Sequence, residues 1–374
     1  AWVNEGLLLE SEARTNLITN NRDISSANGW LWGATTARTA TGIDGVANTA
    51  TAITGSYANS KAWKRTVVND STYHTASVYI KKETSVTAYP GFNLQYTGGT
   101  SGVRKDITFN PITGAYLQRA GKVDGGVAFV EELEDFWRVV ITMQNNTTGN
   151  TTLDFNIFPA VAATFSATWA TAGPQTIIAD FSQLENAATA SSPILTSGAG
   201  VTRAAETLTV AAADMPYDST NMSIQMDGKM TYADDGSALS FAYWYKDSAN
   251  FITQGMATVS TRTGEVAFNQ KANNVIDFVR SSATAYSPDI NVPFNIASRH
   301  GSTFLNGALE GTALTATLTP VALPDLSATD FDIGGTFNGN IGKVRVWADD
   351  IGETGIVEAT LPSTEPSLSL TFDG

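Results

Sequence analysis

The chain has no cysteine. Disulfides, thiolate metal sites and cysteine nucleophiles are therefore excluded, and the composition fits a protein built in a reducing cytoplasm, including one released afterwards. Histidine is nearly absent too, with His74 and His300 alone among 374 residues. A histidine-dependent triad has little to draw on. Charge is sparse: 16 % of residues against a usual ~25 %. Positive charge is scarcer still, with 22 Lys+Arg against 36 Asp+Glu and a net charge of −14. A nucleic-acid binder needs a basic footprint, and an anionic membrane attracts one, so neither partner is expected. No apolar run reaches the ~18 residues of a membrane span. The opening Ala1-Trp2-Val3-Asn4-Glu5 has no basic region or apolar signal core. Its lack of an initial Met points to a processed chain or a fragment.

What is present is β-branched, aromatic and small polar. Tyr73–Lys82, Val86–Tyr96, Phe136–Gln144, Thr152–Ala160 and Thr176–Leu184 are such runs, separated by Gly, Asn and Thr clusters. Ser240–Lys246, Ala257–Ser260, Glu265–Gln270, Val275–Arg280, Ser302–Asn306 and Ile341–Trp347 continue the pattern. No stretch sustains a 3.6-residue period, so the expectation is all-β: two antiparallel β-sandwich or jelly-roll domains in tandem. The Gly/Ser-rich stretch Asn186–Ala205 marks a boundary, giving domains 1–203 and 204–374. Lys+Arg against Asp+Glu is 14 against 16 before it, net −2, and 8 against 20 after it, net −12. Two differently charged surfaces imply separate roles.

Two segments bracket the first domain: GLLLESEARTNLITNNRDISSANGW (Gly6–Trp30) and QLENAATASSPILTSGAGVTRAA (Gln183–Ala205). With TASVYIK (Thr75–Lys81) and FWRVVITM (Phe136–Met143) between them, this set resembles a module of tailed-phage and prophage-like virion proteins. There a GLLVE-x-x-RTNLL opening leads into a jelly roll that ends in QLE-x-G and VTRAAD. The likeness spans about 200 residues; it departs at Asn186-Ala187 and at Ser192-Pro193-Ile194. The jelly roll of that module is similar to xylanase-associated carbohydrate-binding modules. The second half resembles a concanavalin or laminin-G sandwich through RHGSTFLNGALEGT (Arg299–Thr312), FDIGG (Phe331–Gly335) and FNGNIGKVRVW (Phe337–Trp347). Asn306-Gly307 reads there as a type I′ turn between two strands.

The resemblance implies a virion surface protein of a tailed phage or a gene transfer agent. Such a protein is made in the bacterial cytoplasm, lies outside the cell after release, and works beside other virion proteins as a homo-oligomer. The opening normally follows more sequence, so an attachment region is expected upstream. Carbohydrate-binding jelly rolls often carry a structural Ca²⁺ held by an aspartate of the last strand. Asp180 matches that place, with Asp23 a weaker second ligand.

Alternation supplies a glycan face. With His74, Ala76, Val78 and Ile80 inward, Tyr79 points out. The same count leaves Tyr89, Asn93, Gln95, Arg138, Asp154, Asn156 and Phe158 outward. If these strands share one sheet, rings for stacking and amides, Arg and Asp for hydroxyls lie together, and host-surface polysaccharide is the expected partner. Trp30, Trp32, Trp63 and Trp169 read as core plugs, unless one is exposed. No catalytic residue is expected. The Glu131, Glu132, Glu134, Asp135 cluster reads as a solvated loop before a glycosidase pair; Asp234-Asp235 and Asp349-Asp350 read as turns. No Gly-x-Ser-x-Gly, phosphate loop or zinc spacing occurs. The reading is non-catalytic recognition of host glycan. The alternatives are a fibre or decoration protein with spacer sandwiches, and a glycan lyase or hydrolase.

Overall fold

A computed structural model describes residues 6–57, 59–122, 125–170, 172–230, 238–257, 262–286, 292–335 and 337–362. The chain is all-β, with antiparallel sheets throughout. In chain order the strands are β1 (Leu7–Glu10), β2 (Arg14–Asn16), β3 (Thr35–Ala40), β4 (Ala50–Gly55), β5 (Lys61–Thr66), β6 (Tyr73–Lys81), β7 (Tyr89–Thr97) and β8 (Val103–Phe109). They continue with β9 (Tyr116–Gln118), β10 (Gly126–Glu132), β11 (Phe136–Gln144), β12 (Thr152–Ala162), β13 (Gln175–Glu185), β14 (Val201–Arg203), β15 (Leu208–Val210) and β16 (Asn221–Met230). The last are β17 (Ala238–Asp247), β18 (Asn250–Ala257), β19 (Glu265–Ala272), β20 (Val275–Arg280), β21 (Val292–Gly301), β22 (Leu305–Leu309), β23 (Thr312–Ala313), β24 (Phe331–Ile333) and β25 (Asn338–Trp347). Among the described residues one α-helix, α1 (Gly352–Ala359), buries Ile356 with Ala297 and Ala308. Among the described residues no helix is long and apolar enough to cross a membrane. Asp234-Asp235 and 258–260 lie outside the described residues.

The chain divides into two units, Arg14–Ala204 and the residues before Ala13 inclusive with those from Ala205 onward. The units change between Ala204 and Ala205, and the start of the chain joins the later residues: β1 pairs antiparallel with β25, Leu7 opposite Ile341 and Glu10 opposite Asn338. Leu9 is buried in that sandwich's core with Phe337 and Ile341. The LLLE run is short and apolar, and nothing local states which sheet takes it.

In Arg14–Ala204, one sheet runs β10-β11-β6-β13-β4-β3 and the other β5-β12-β7-β8-β9. Alternate residues of both face a common core, including Val78, Ile80, Val139, Ile141, Phe92, Leu94, Phe155 and Ile157. Each such side chain contributes roughly 1.5–3 kcal/mol by leaving water. His74 lies in this core as expected, its Nδ1 2.7 Å from the Tyr96 hydroxyl. Burial, reinforced by the Arg65 charge and opposed in part by Asp70, holds the imidazole down at about 4.

The other unit pairs the sheet β1-β25-β16-β21-β22-β23 with β15-β24-β17-β18-β19-β20. Its core holds Phe241, Trp244, Phe268, Phe294, Phe331 and Phe337. The expected turn at Asn306-Gly307 is instead mid-strand, opposite Arg299 and Ser298. A Cβ at Gly307 would overlap the Phe268 ring, so this glycine serves packing. Positive φ falls at Glu310 and Gly311, where β22 turns into β23, and at Asn273 and Asn274 between β19 and β20. These are the two-residue connections that left-handed backbone closes.

Candidate carbohydrate-binding face

The four strands chosen for the glycan face do not share a sheet. β6 and β11 lie in one sheet of the first sandwich, β7 and β12 in the other. Tyr79 and Arg138 therefore point away from one side of the molecule, and Asn93, Gln95, Asp154 and Asn156 from the opposite side. A period of two separates inside from outside but says nothing about which sheet a strand joins.

Tyr79 and Arg138 are also covered. After β13 the chain folds back across their face. Thr75 Oγ1 donates to the Ala187 carbonyl at 2.8 Å, Arg138 donates to the Ser191 carbonyl, and Gln183 Oε1 accepts from Ile194 N at 2.8 Å. Glu185 accepts from Ser191 N at 3.0 Å and Ser191 Oγ at 2.6 Å. Tyr79 is left 4 % exposed and Arg138 7 %. Asn16 fastens the strap, donating to the carbonyls of Ser182 at 3.3 Å and Ile194 at 3.1 Å. β14 pairs with β2, Val201 opposite Asn16 and Arg203 opposite Arg14. The RTN and QLE segments that bracket this domain in sequence thus meet in space.

The Asp180 carboxylate belongs to an ion pair. Arg22 Nε donates to Oδ1 and a terminal nitrogen to Oδ2, both at 2.8 Å; Phe181 N and Ile43 N donate at 2.9 and 3.0 Å. Arg22 also holds Asp44 at 2.6 Å, which keeps the Asp44 carboxyl down at about 2. With both oxygens turned to donors, Asp180 does not fit a Ca²⁺ ligand. Asp23 lies in a shallow recess with Asn20, Arg22, Arg38 and Thr196. Among the described residues no three His, Asp or Glu side chains gather in a way that could hold a metal ion.

Across the five-stranded sheet, register builds three rows. In the first, Lys64, Asp154, Gln95 and Arg104 stand side by side on β5, β12, β7 and β8. Gln95 Nε2 donates to Asp154 Oδ2 at 3.0 Å. Asp154 Oδ1 receives no hydrogen bond and lies 3.7 Å from Lys64 Nζ. The second row is Asn156, Asn93 and Asp106. Asn156 donates to Asn93 at 2.8 Å, and Asn93 to Asp106. Arg104 at 2.8 Å and Arg119 at 3.2 Å flank Asp106, which is fully buried. The third row, Phe158, Gly91 and Thr108, is roofed by Trp169, whose Nε1 donates to Thr108 Oγ1 at 3.0 Å. A Cβ on Gly91 would press on that indole at 2.8 Å. Tyr89 lies six residues along β7 from Gln95, about 20 Å away, against Phe165.

One tryptophan stands out of the protein. Trp30 is fully buried, Trp169 roofs the third row, but Trp32 is 59 % exposed at φ +76°. Left-handed backbone at a bulky residue costs about 1–3 kcal/mol and persists where neighbours enforce it. The Leu31–Ala62 bridge and Lys61 Nζ donating to the Trp32 carbonyl at 3.1 Å do so. Lys64 Nζ sits 5.3 Å from the ring centre, so the indole borders the first row. Five expected residues thus lie on this side: Gln95 and Phe158 are half-buried, while Asn93, Asp154 and Asn156 are buried at 1, 3 and 7 % exposure. Lys64, Arg104, Asp106 and Arg119 were missed, although alternation in KAWKRT and VRKDITF puts Lys64, Arg104 and Asp106 outward.

The acidic cluster shows surface pairing, with Glu132 2.8 Å from Lys82 and Glu131 3.5 Å from Arg138. His300 is enclosed by Ser298 and Gln270.

The fold and this face define a two-sandwich all-β protein with a polar, tryptophan-edged sheet surface. No protein-family model matches the chain, and no curated protein does. Solved sandwiches overlay on part of it. The Ruminococcus gnavus IT-sialidase CBM40, bound to α2,6 sialyllactose, is 11 % identical, with 41 % of this chain and 96 % of that one covered at a TM-score of 0.33. Galectin-Ib of Xenopus laevis is 12 % identical over 38 % and 99 %, at 0.27. A homodimeric agglutinin from chicken liver is 13 % identical over the same shares, at 0.26. At these scores the likeness carries no functional weight.

Proposed function

We propose that the chain is a non-catalytic virion surface protein that recognises host-cell glycan through the Lys64–Asp154–Gln95–Arg104 row and Trp32. One observation carries the recognition step: an indole held 59 % exposed beside a row of hydrogen-bonding side chains. Aromatic faces stack on the C–H faces of sugars, while a carboxylate, an amide and a guanidinium take hydroxyls in pairs. Asp154 is itself buried, 3 % exposed, so Lys64, Gln95 and Arg104 present the groups of this row that a hydroxyl can reach. Asn156, Asn93 and Asp106 bond in sequence in the neighbouring row and keep this one in place.

The virion setting is supported by the resemblance of Gly6–Trp30 and Gln183–Ala205, two segments that meet in the β2–β14 pair. Symmetric homo-oligomers are the usual form of such fibres and spikes. A purely structural spacer would not need an indole held out in strained backbone.

The test is a glycan array probed with the whole chain, then with Trp32→Ala and Gln95→Ala. Losing a stacking ring or an amide contact costs about 1–3 kcal/mol, so binding falls about 5- to 150-fold. Wild type binding no glycan, or both variants binding like wild type, overturns the reading.

A further inference from the structure

The sheet β15-β24-β17-β18-β19-β20 of the other sandwich has an outer face that alternation did not single out. Register places Thr209, Asp332, Tyr243, Thr253, Asn269 and Phe278 in one row across all six strands. Their neighbours along the strands, Phe331, Trp244, Ile252, Phe268 and Val279, are buried. Rings at Tyr243 and Phe278 flank a hydroxyl and an amide, and three strand intervals separate the two rings by about 14 Å. Asn269 Nδ2 donates to Thr253 Oγ1 at 3.0 Å, and Thr209 Oγ1 to Asp332 Oδ1 at 2.6 Å, so the row is ordered by its own bonds.

On one side of this row the rings continue. Tyr245 stacks on Tyr243 at 4.8 Å and 13°, and Phe251 on Tyr245 at 5.8 Å and 22°. On the other side bulk disappears, because Gly255 and Ala267 stand next on β18 and β19, with Arg280 beyond them. Since Tyr243 and Tyr245 are two apart on one strand, their stack runs along it. The free face of Tyr243 therefore looks over the Gly255–Ala267 hollow. Arg280 closes the far side, its guanidinium 4.2 Å from the Phe278 ring centre.

We propose that this hollow is a second saccharide-binding site, for a neutral glycan, with Tyr243 as the stacking ring and Asn269, Thr253 and Arg280 as hydroxyl partners. It extends carbohydrate recognition to the other sandwich and does not depend on the Trp32 face. The ligand class follows from the layout. A protein partner would want a continuous apolar patch, whereas here polar side chains sit between rings. An anionic polymer would meet the net −12 of residues 204–374, from 8 Lys+Arg against 20 Asp+Glu. The same charge opposes a second copy of this chain on the face.

The experiment uses the full chain carrying Trp32→Ala and Gln95→Ala, on an array of neutral and anionic oligosaccharides. Residual binding to neutral glycans is expected. It should fall at least tenfold on adding Tyr243→Ala, and equally on adding Ala267→Leu, which fills the hollow and removes no contact. Ala267 is half-buried on a solvent-facing row, so the second change tests the hollow should Tyr243→Ala disturb the ring stack. No residual binding, or residual binding indifferent to both changes, overturns the second site. If Trp32→Ala and Gln95→Ala leave binding intact and Tyr243→Ala abolishes it, the Trp32 face fails and the second site stands. Light scattering that shows a dimer lost with Tyr243→Ala would make the face a subunit contact and overturn the proposal.

Discussion

The two outer faces of the Arg14–Ala204 sandwich began with the same sequence signature, aromatic and polar residues alternating with core ones. They ended differently. On the β6–β11 side the strap after β13 consumes the polar groups: Arg138, Gln183, Glu185 and Thr75 all bond to it, and Tyr79 is sealed beneath. On the β7–β12 side Asn93, Asp154 and Asn156 are buried too, but by bonds within their own rows, and Gln95, Arg104 and Trp32 stay reachable beside them. An outward side chain is thus a ligand candidate only where no later segment claims it. The strap side should answer mutation with lost stability, the open side with lost binding.

The largest effect expected on the strapped side is at Asp180. Asp180→Ala leaves the Arg22 guanidinium, 9 % exposed, with one carboxylate instead of two. Removing one partner of a buried pair costs about 3–5 kcal/mol, readable as a shift in the denaturant midpoint. A calcium chelator should leave that midpoint where it was; a chelator-induced drop would show that Asp180 serves a cation after all. Tyr79→Ala comes next. Truncating a buried aromatic costs about 3–5 kcal/mol, while the glycan affinity of the folded protein stays unchanged. A stable Tyr79→Ala protein with lost binding would reverse the comparison.

Acid gives a smaller effect shared by both sandwiches. Burial depresses His74 to about 4 and His300 to about 3, below the unfolded value of 6.5. Between those limits the unfolded chain binds protons that the folded chain does not. Stability is therefore full above pH 6.5 and declines as pH falls toward 4 and then 3. His74→Gln should flatten part of that decline in equilibrium unfolding from pH 7 to 4; an unchanged slope would mean that His74 is protonated in the fold. Trp32→Ala should be the mildest of all in stability, within about 0.5 kcal/mol, because its ring packs on little.

Much of this architecture was legible in the chain. β11 begins and ends where the Phe136–Gln144 run does, β6 stops one residue short of its run, and β13 exceeds its run by one residue at each end. Gly, Ser and charge put a boundary at 203/204, but nothing in them assigns residues 6–13 to the later unit. What stayed hidden was long-range. Period-two alternation cannot tell that β6 takes β11 and β13 as neighbours while β7 takes β8 and β12. It cannot send Leu9 across some 330 residues to Ile341, nor send Ser191 back over Arg138. Asn306-Gly307 has the composition of a hairpin turn, yet Phe268 in the facing sheet needs a residue without a side chain there. The same blindness cost the site its best residue. Trp32 read as a core plug because a tryptophan near a loop or strand end more often fills the core, and the left-handed backbone that sets it apart from Trp30 has no sequence signal.

The most direct measurement is a crystal structure of the whole chain soaked with the tightest oligosaccharide from the array. A sugar ring against Trp32, with hydroxyls on Lys64, Gln95 or Arg104 and the strap unmoved, is the predicted result. A sugar bound to Tyr79 and Arg138 with the 186–198 strap displaced would contradict it.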